Sequence, residues 1–204
     1  FNLSALNQFM RGLVAGSPTK SGHRTPTVIT TLPADGVDES TMRANAWMVK
    51  QVLACGVHGI LLCHVETPAA VKVFVEAARY SFQTIGAGNG LNQGRRGNGG
   101  QGNPASIWGI AAEEYIDKAD PWPLNPEGEL MLGLKIENRR ALVNAEVSIS
   151  VPGIAFAEWV PDDMGFSFGH RDAHDPLHVE NMQNARTRVK NACAPAQIAF
   201  LEVM

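Results

Sequence analysis

Apolar positions along the chain switch between a helical and an extended period. Leu3, Leu6, Met10, Leu13 and Val14 recur at helical spacing through "NLSALNQFMRGLVAG", which stops at Gly16. "TPTVITTLP" is short and β-branched, and "DESTMRANAWMVKQVLACG" opens with acidic cap residues and closes on Gly56, so the chain begins helix, strand, helix. "HGILLCHV" reads as a buried strand, "TPAAVKVFVEAARY" as a helix with Pro68 in its first turn, and "QTIGAG" as a short strand ending in glycines. Further on, "SIWGIAAEEYIDKAD", "NRRALVNAEVSIS" and "LHVENMQNARTRVKNAC" are predicted helices. They alternate with predicted strands at "ELMLGLKIE", "GIAFAEWV" and "AQIAFLEV". Repeated βα units require parallel pairing with right-handed crossovers, which leaves an open doubly wound sheet or a barrel.

Composition narrows the class. With 204 residues, 45% of them hydrophobic and 18% charged, residues 1–204 make one sizeable core and are read as a single domain. A formal charge of −3, with no Lys/Arg cluster beyond the pairs Arg95–Arg96 and Arg139–Arg140, argues against a nucleic-acid partner. No apolar run approaches the roughly 20 residues that span a bilayer, so no membrane partner is expected, and the opening segment is not a signal sequence. Cys55, Cys63 and Cys193 are odd in number, far apart and set among apolar residues, which favours reduced core thiols and a cytoplasmic protein.

Parallel α/β folds collect their chemistry at the carboxyl ends of the strands. There the sequence places His64 and Glu66 after "GILLC", Glu137 after "LGLKI", Asp162 and Asp163 after "FAEWVP", and Glu202 near the last strand. Glu66, followed by "TPAAV", reads as a helix cap or a solvated loop group. Glu137 and Asp163 end strands covered on both faces, so each must be paired, hydrogen-bonded or bound to a cation. A site for a hard divalent ion and a buried salt bridge to Lys135 or Arg139 both satisfy that requirement. His64 is either a lining residue or a hydrogen-bonded structural imidazole.

Three segments carry a family resemblance. "VPGIAFAEWVPDDMGFSFG" (151–169), "LKIENRRAL" and "GVHGILLCHVETPAAVKVFVEAARYS" resemble the site motifs of the HpcH/HpaI aldolase family, the class II pyruvate aldolases, in the "HVET" version that macrophomate synthase shows. The resemblance implies a (β/α)8 TIM barrel of the phosphoenolpyruvate/pyruvate type. It further implies a carbon–carbon lyase in which Glu137 and Asp163 ligate a divalent cation (Mg²⁺, Mn²⁺ or Co²⁺). Pro161 would open the turn whose Asp162 and Asp163 amides hold the substrate carboxylate. From their positions at the strand ends, Lys135 and His64 are the expected catalytic residues, with Lys135 also touching substrate. The implied substrates are a small 2-oxo acid, pyruvate or a relative, and an aldehyde; the implied assembly is a homo-oligomer, a trimer or hexamer. Departures are equally specific. Lys135 stands where the family more often has Gln, Ile29 or Thr30 where it has Arg, and Val160 where it has Gly, which narrows or impairs the presumed pocket. The family's first strand, with an acidic residue and a histidine, would precede Phe1 and its eighth would follow Met204, so the chain reads as a trimmed portion of a longer one. The alternatives are a CoA-ester lyase of the citrate-lyase β type, an imine-forming aldolase using Lys135, and an inactive barrel serving as a binding or assembly module.

The remaining motifs read as structure. His170, His174 and His178 fit no tetrahedral metal spacing and suggest a capping, surface or inter-subunit role. "GAGNG" lacks the ordered dinucleotide fingerprint. The glycine-rich segment 86–103 is instead expected to be a lid at the site's end of the barrel, with Arg95 or Arg96 swinging in. Trp108, Trp122 and Trp159 are expected to pack.

Overall fold

In the computed structural model, which describes residues 1–32, 34–172 and 179–202, the strands form one parallel sheet flanked by helices. Its spatial order is β1 (Ile29–Leu32), β2 (Gly59–Leu62), β4 (Leu130–Ile136), β5 (Phe156–Trp159) and β6 (Ala199–Glu202). β3 (Pro121–Trp122) pairs with the start of β4. The predicted strand at "QTIGAG" does not form. Gly86 and Gly88 both adopt positive φ, which an extended strand does not allow, and the Ile85 carbonyl is taken by the Arg79 guanidinium at 2.7 Å. The sixth strand comes instead from "DPWPLNP", which the sequence pattern makes a plain connection.

Two faces of the sheet differ. Ile60, Leu62, Leu132, Leu134 and Ile136 are fully buried in the main core under the helices, each contributing about 1.5–3 kcal/mol of burial. Their alternates Leu61, Met131 and Phe156 form a separate small cluster on the other face. That cluster depends on Gly133, because a Cβ there would lie 2.1 Å from the Phe156 ring.

The helices that position the site are α2 (Glu39–Leu53) and α3 (Pro68–Ala78). Asp38 caps α2 by accepting from the Thr41 amide at 2.7 Å, and Thr67 caps α3 ahead of Pro68. Two long predicted helices are each broken. Left-handed Gly109 separates α4 (Gly102–Trp108) from α5 (Ala112–Lys118), and Asn144 separates α6 (Arg139–Val143) from α7 (Ala145–Ile149). The Asn144 side-chain amide donates to the Glu66 carbonyl at 2.7 Å, so its residue serves a tertiary contact rather than helix continuity. A further helix, α8 (Pro161–Phe168), follows β5, and α9 (Glu180–Ala196) returns the chain to β6. The three cysteines are free and buried, and burial pushes the Cys63 and Cys193 thiols up to about 11. No helix among the described residues is long and apolar enough to cross a membrane. His174 and His178 lie outside the described residues; His170 sits beside Asn181, its Nε2 3.4 Å from the amide oxygen.

The glycine-rich loop is not over the carboxyl ends of the strands. α3 starts at the carboxyl end of β2 and runs back, which puts Glu76, Arg79 and Tyr80 at the opposite end, and the loop is bonded to those residues. The buried Glu76 carboxylate accepts from the Asn92 main chain at 3.0 Å and side chain at 2.8 Å, and pairs with Arg95 at 3.3 Å. The Arg96 amide donates to the Arg79 carbonyl. Gly94 is required here, since a Cβ would meet the Tyr80 carbonyl oxygen at 2.2 Å. Arg95 and Arg96 are thus held far from Glu137, because a charged loop residue goes where a buried counter-group or an aromatic face holds it.

Beneath this loop, Arg79 and Asp120 form a fully buried bidentate pair at 2.6 and 2.9 Å, with Asn125 also donating to Asp120. Asp120→Ala would strand the guanidinium and should cost about 3–5 kcal/mol of unfolding free energy. Equilibrium urea denaturation measures it; a loss below about 1 kcal/mol would show that the pair is as dispensable as a surface ion pair.

Candidate active site at the carboxyl ends of the strands

Parallel register brings the site together. β2 pairs with β4 from Gly59↔Met131 to Leu62↔Leu134, so the residues just past β2 run alongside the end of β4. His64 then turns into the left-handed region at φ +49, and its main-chain N–H donates to Glu137 Oε1 at 2.6 Å. Few side chains adopt that conformation without a compensating contact, and a charge-assisted bond to a buried carboxylate supplies one. Glu137 is only 1% exposed. Its other oxygen, Oε2, lies 3.8 Å from Lys135 Nζ, and His64 Nε2 stands 3.6 Å from Oε1. The His64 ring is oriented from outside by Asp35, whose Oδ1 is 2.7 Å from Nδ1.

These groups open on a cleft of about 320 Å³ lined by Asp35, Val37, His64, Glu66, Glu137, Asn138, Arg140 and Asp163. Burial raises the Glu137 carboxyl above its ordinary value, the His64 amide, Lys135 and the imidazole pull it back, and Asp163 pushes it up again. Hydrogen bonding to Asp35 raises the His64 imidazole against the opposing effect of burial. Asp162 and Asp163 occupy the first turn of α8 behind Pro161, where main-chain N–H groups face outward toward anions. Val160 is buried and does not line the cleft, so its side chain does not narrow the opening.

Glu66 is neither cap nor solvated group. It is buried, with Asn138 donating at 3.1 Å and Arg140 bidentate at 2.7 and 2.8 Å. It therefore staples the β2–α3 turn to the β4–α6 turn and holds two walls of the cleft in register. Glu202 is paired with Arg186 at the sheet's edge. Two residues escaped the sequence pattern. Asp35 lies beyond Pro33, past the end of β1, where "ADG" looks like an ordinary turn. Glu158 sits inside β5 directly opposite Lys135; burial raises its carboxyl, Lys135 lowers it, and Oε2 is buried without a hydrogen-bond partner. An acidic residue within an apolar strand was the available signal for it.

Among the described residues, no three His, Cys, Asp or Glu side chains converge tightly enough to hold a metal by themselves. The donor chemistry nonetheless suits a hard divalent cation. Glu137 and Asp163 offer oxygen to one open cleft, and one or two carboxylates completed by water and a chelating ligand are sufficient for such ions.

A parallel α/β sheet of barrel type, with a carboxylate-lined cleft at the strands' carboxyl ends, defines the class. The chain belongs to the HpcH/HpaI aldolase/citrate lyase family, whose model matches residues 26–204. It is 33% identical over 133 residues to a hydroxypyruvate/pyruvate aldolase of Cupriavidus necator, covering 65% of this chain and 42% of that protein. It is 30% identical over 131 residues to a 2-keto-3-deoxy-L-rhamnonate aldolase of Klebsiella pneumoniae, covering 64% and 42%. The chain spans about half the length of the relatives it matches. Among solved structures, an HpcH/HpaI aldolase of Desulfitobacterium hafniense superposes with a TM-score of 0.70 at 15% identity, over 99% of this chain and 63% of that one. Macrophomate synthase superposes at 0.65 and 17%, over 98% and 59%. Both are TIM-barrel-type folds, which places the described sheet in that architecture.

Glu137→Gln keeps an acceptor for the His64 amide and removes a desolvated charge. Its unfolding free energy should stay within about 1 kcal/mol of the parent's. A loss of several kcal/mol in urea denaturation would show that the carboxylate is there for a structural salt bridge with Lys135.

Proposed function

We propose that this cleft carries a carbon–carbon lyase that cleaves 4-hydroxy-2-oxo acids to pyruvate, or a related 2-oxo acid, and an aldehyde. The observation that carries the reading is the almost fully buried Glu137 carboxylate, held by one main-chain N–H and facing an open cleft that it shares with Asp163. Membership of an aldolase family and relatives named as pyruvate and 2-oxo-acid aldolases support it.

Glu137 and Asp163 would hold the divalent cation, which when bound supplies a Lewis acid to the substrate's keto group. The first turn of α8 receives the substrate carboxylate on the amides of Asp162 and Asp163, an anion site that needs no mobile side chain. Lys135, 19% exposed on the side chain and 3.8 Å from Glu137, adds positive charge where the family more often has a neutral amide. The Asp35 contact favours a proton on Nδ1, so in the neutral imidazole Nε2 would present a lone pair. In the cleavage direction Nε2 takes the proton of the 4-hydroxyl, the C3–C4 bond breaks, and the electron pair passes to C3. The aldehyde leaves, and a proton delivered to C3 completes the methyl group of pyruvate. The imine route, which needs a neutral amine at Lys135, is the competing mechanism. A lyase acting on CoA esters is the second reading, favoured by the citrate lyases in the family's description.

Pyruvate release from a 4-hydroxy-2-oxo acid should disappear with excess EDTA and return with Mg²⁺, Mn²⁺ or Co²⁺. Undiminished turnover in EDTA, with borohydride trapping substrate on Lys135, would select the imine mechanism instead.

A further inference from the structure

At the other end of the sheet, Arg96 is 6% exposed and yet makes no ion pair with any described carboxylate. Its guanidinium lies 4.1 Å over the Tyr80 ring and donates to the Tyr80 and Tyr115 hydroxyls at 3.0 and 3.2 Å and to the Ala78 carbonyl at 3.4 Å. These acceptors are neutral. They occupy three of five N–H groups, and the Tyr80 and Tyr115 rings, 4.1 and 5.6 Å from the guanidinium, hold the charge without any counter-ion. The neighbouring Arg95 shows the contrast, since it takes the buried Glu76 as its counter-ion.

Arg96 lines a pocket of about 260 Å³ together with Lys50, from the last turn of α2, Tyr80 and the loop residues Gly97, Asn98, Gly99 and Gly100. Lys50 has no ion pair among the described residues either, so two cations converge on one cavity without an anion. The loop wall carries almost no side-chain bulk. Gly97 is informative, because a Cβ there would touch nothing within 4 Å and its φ is not left-handed. Neither packing nor strain demands glycine at that position; what it leaves is access.

From this geometry we infer that Lys50, Arg96 and the 97–100 loop form a phosphate-binding site, taking phosphate free or as a small monoester, separate from the catalytic cleft. A planar guanidinium fork and an ammonium suit a tetrahedral dianion, and a phosphate monoester carries about −1.5 to −2 charge at neutral pH, matching the two cations. The site belongs to the opposite end of α2 and α3 from Glu137, so it stands whether or not the lyase reading does.

The test is isothermal titration of the purified protein in EDTA with inorganic phosphate and, separately, glycerol 3-phosphate, with NaCl at matched ionic strength as the blank. Saturable binding by the parent and by Lys20→Glu, an exposed charge reversal outside the pocket, is expected, with affinity falling at least about tenfold in Lys50→Glu. Tighter binding of glycerol 3-phosphate assigns the site to monoesters; equal or weaker binding assigns it to free phosphate. Thermal melts without phosphate confirm that Lys50→Glu is folded. Absence of saturable binding by either probe, or equal affinity in the parent and folded Lys50→Glu, would overturn the site.

Discussion

A carboxylate at the end of a strand fully buried on one face and half-buried on the other is the constraint around which this molecule is arranged. β4 lies between β2 and β5 under a layer of helices, so Glu137 leaves the strand already desolvated. Everything nearby answers that cost. β2 ends two residues early and turns through a left-handed His64 to offer an amide, and Lys135 approaches along the same strand face. None of these contacts neutralises the group as a bidentate arginine would. Burial raises the carboxyl above its ordinary value and leaves it in reach of solvent on one side only, an arrangement suited to receiving a cation or a polar ligand.

Comparison with the other buried acids makes the distinction sharp. Asp120 takes a two-pronged arginine and an asparagine, Glu66 takes an arginine and an asparagine, and Glu76 gathers an amide, an asparagine side chain and an arginine. Each fastens one loop to another, and each is buried with its lone pairs largely used. Glu137 has one short hydrogen bond and a distant ammonium. Satisfaction of hydrogen-bonding capacity therefore sets Glu137 apart from these three structural acids. The basic groups divide similarly, with Arg79 and Arg95 paired to carboxylates and Arg96 stacked on tyrosine and hydrogen-bonded to neutral acceptors.

Much of the fold was legible in the chain. The period-2 and period-3.6 runs located β1, β2, β4, β5, β6 and the long helices, because periodicity records which side of each element is buried, and burial is the dominant local consequence of folding. Reading the polar residue that ends each strand was enough to collect His64, Glu137 and Asp163 in one cleft, since parallel pairing aligns carboxyl ends whatever the detailed register.

Other features rested on partners distant in sequence. Nothing local in "LPADGVDES" marks Asp35 as the residue that orients His64, 29 positions away. Gly86 and Gly88 cancelled a strand that their neighbours favoured, and a two-residue strand at Pro121 replaced it because the start of β4 had an open edge. The glycine-rich loop looked like a lid, yet Glu76 and Tyr80 hold it at the far end, through contacts set by the direction in which α3 runs. The sequence by itself determined which surfaces must be buried and which strand ends carry acid. Only the tertiary structure decided which buried charge found a partner, because pairing depends on register and turn conformation between segments far apart in the chain, and those leave no periodic trace.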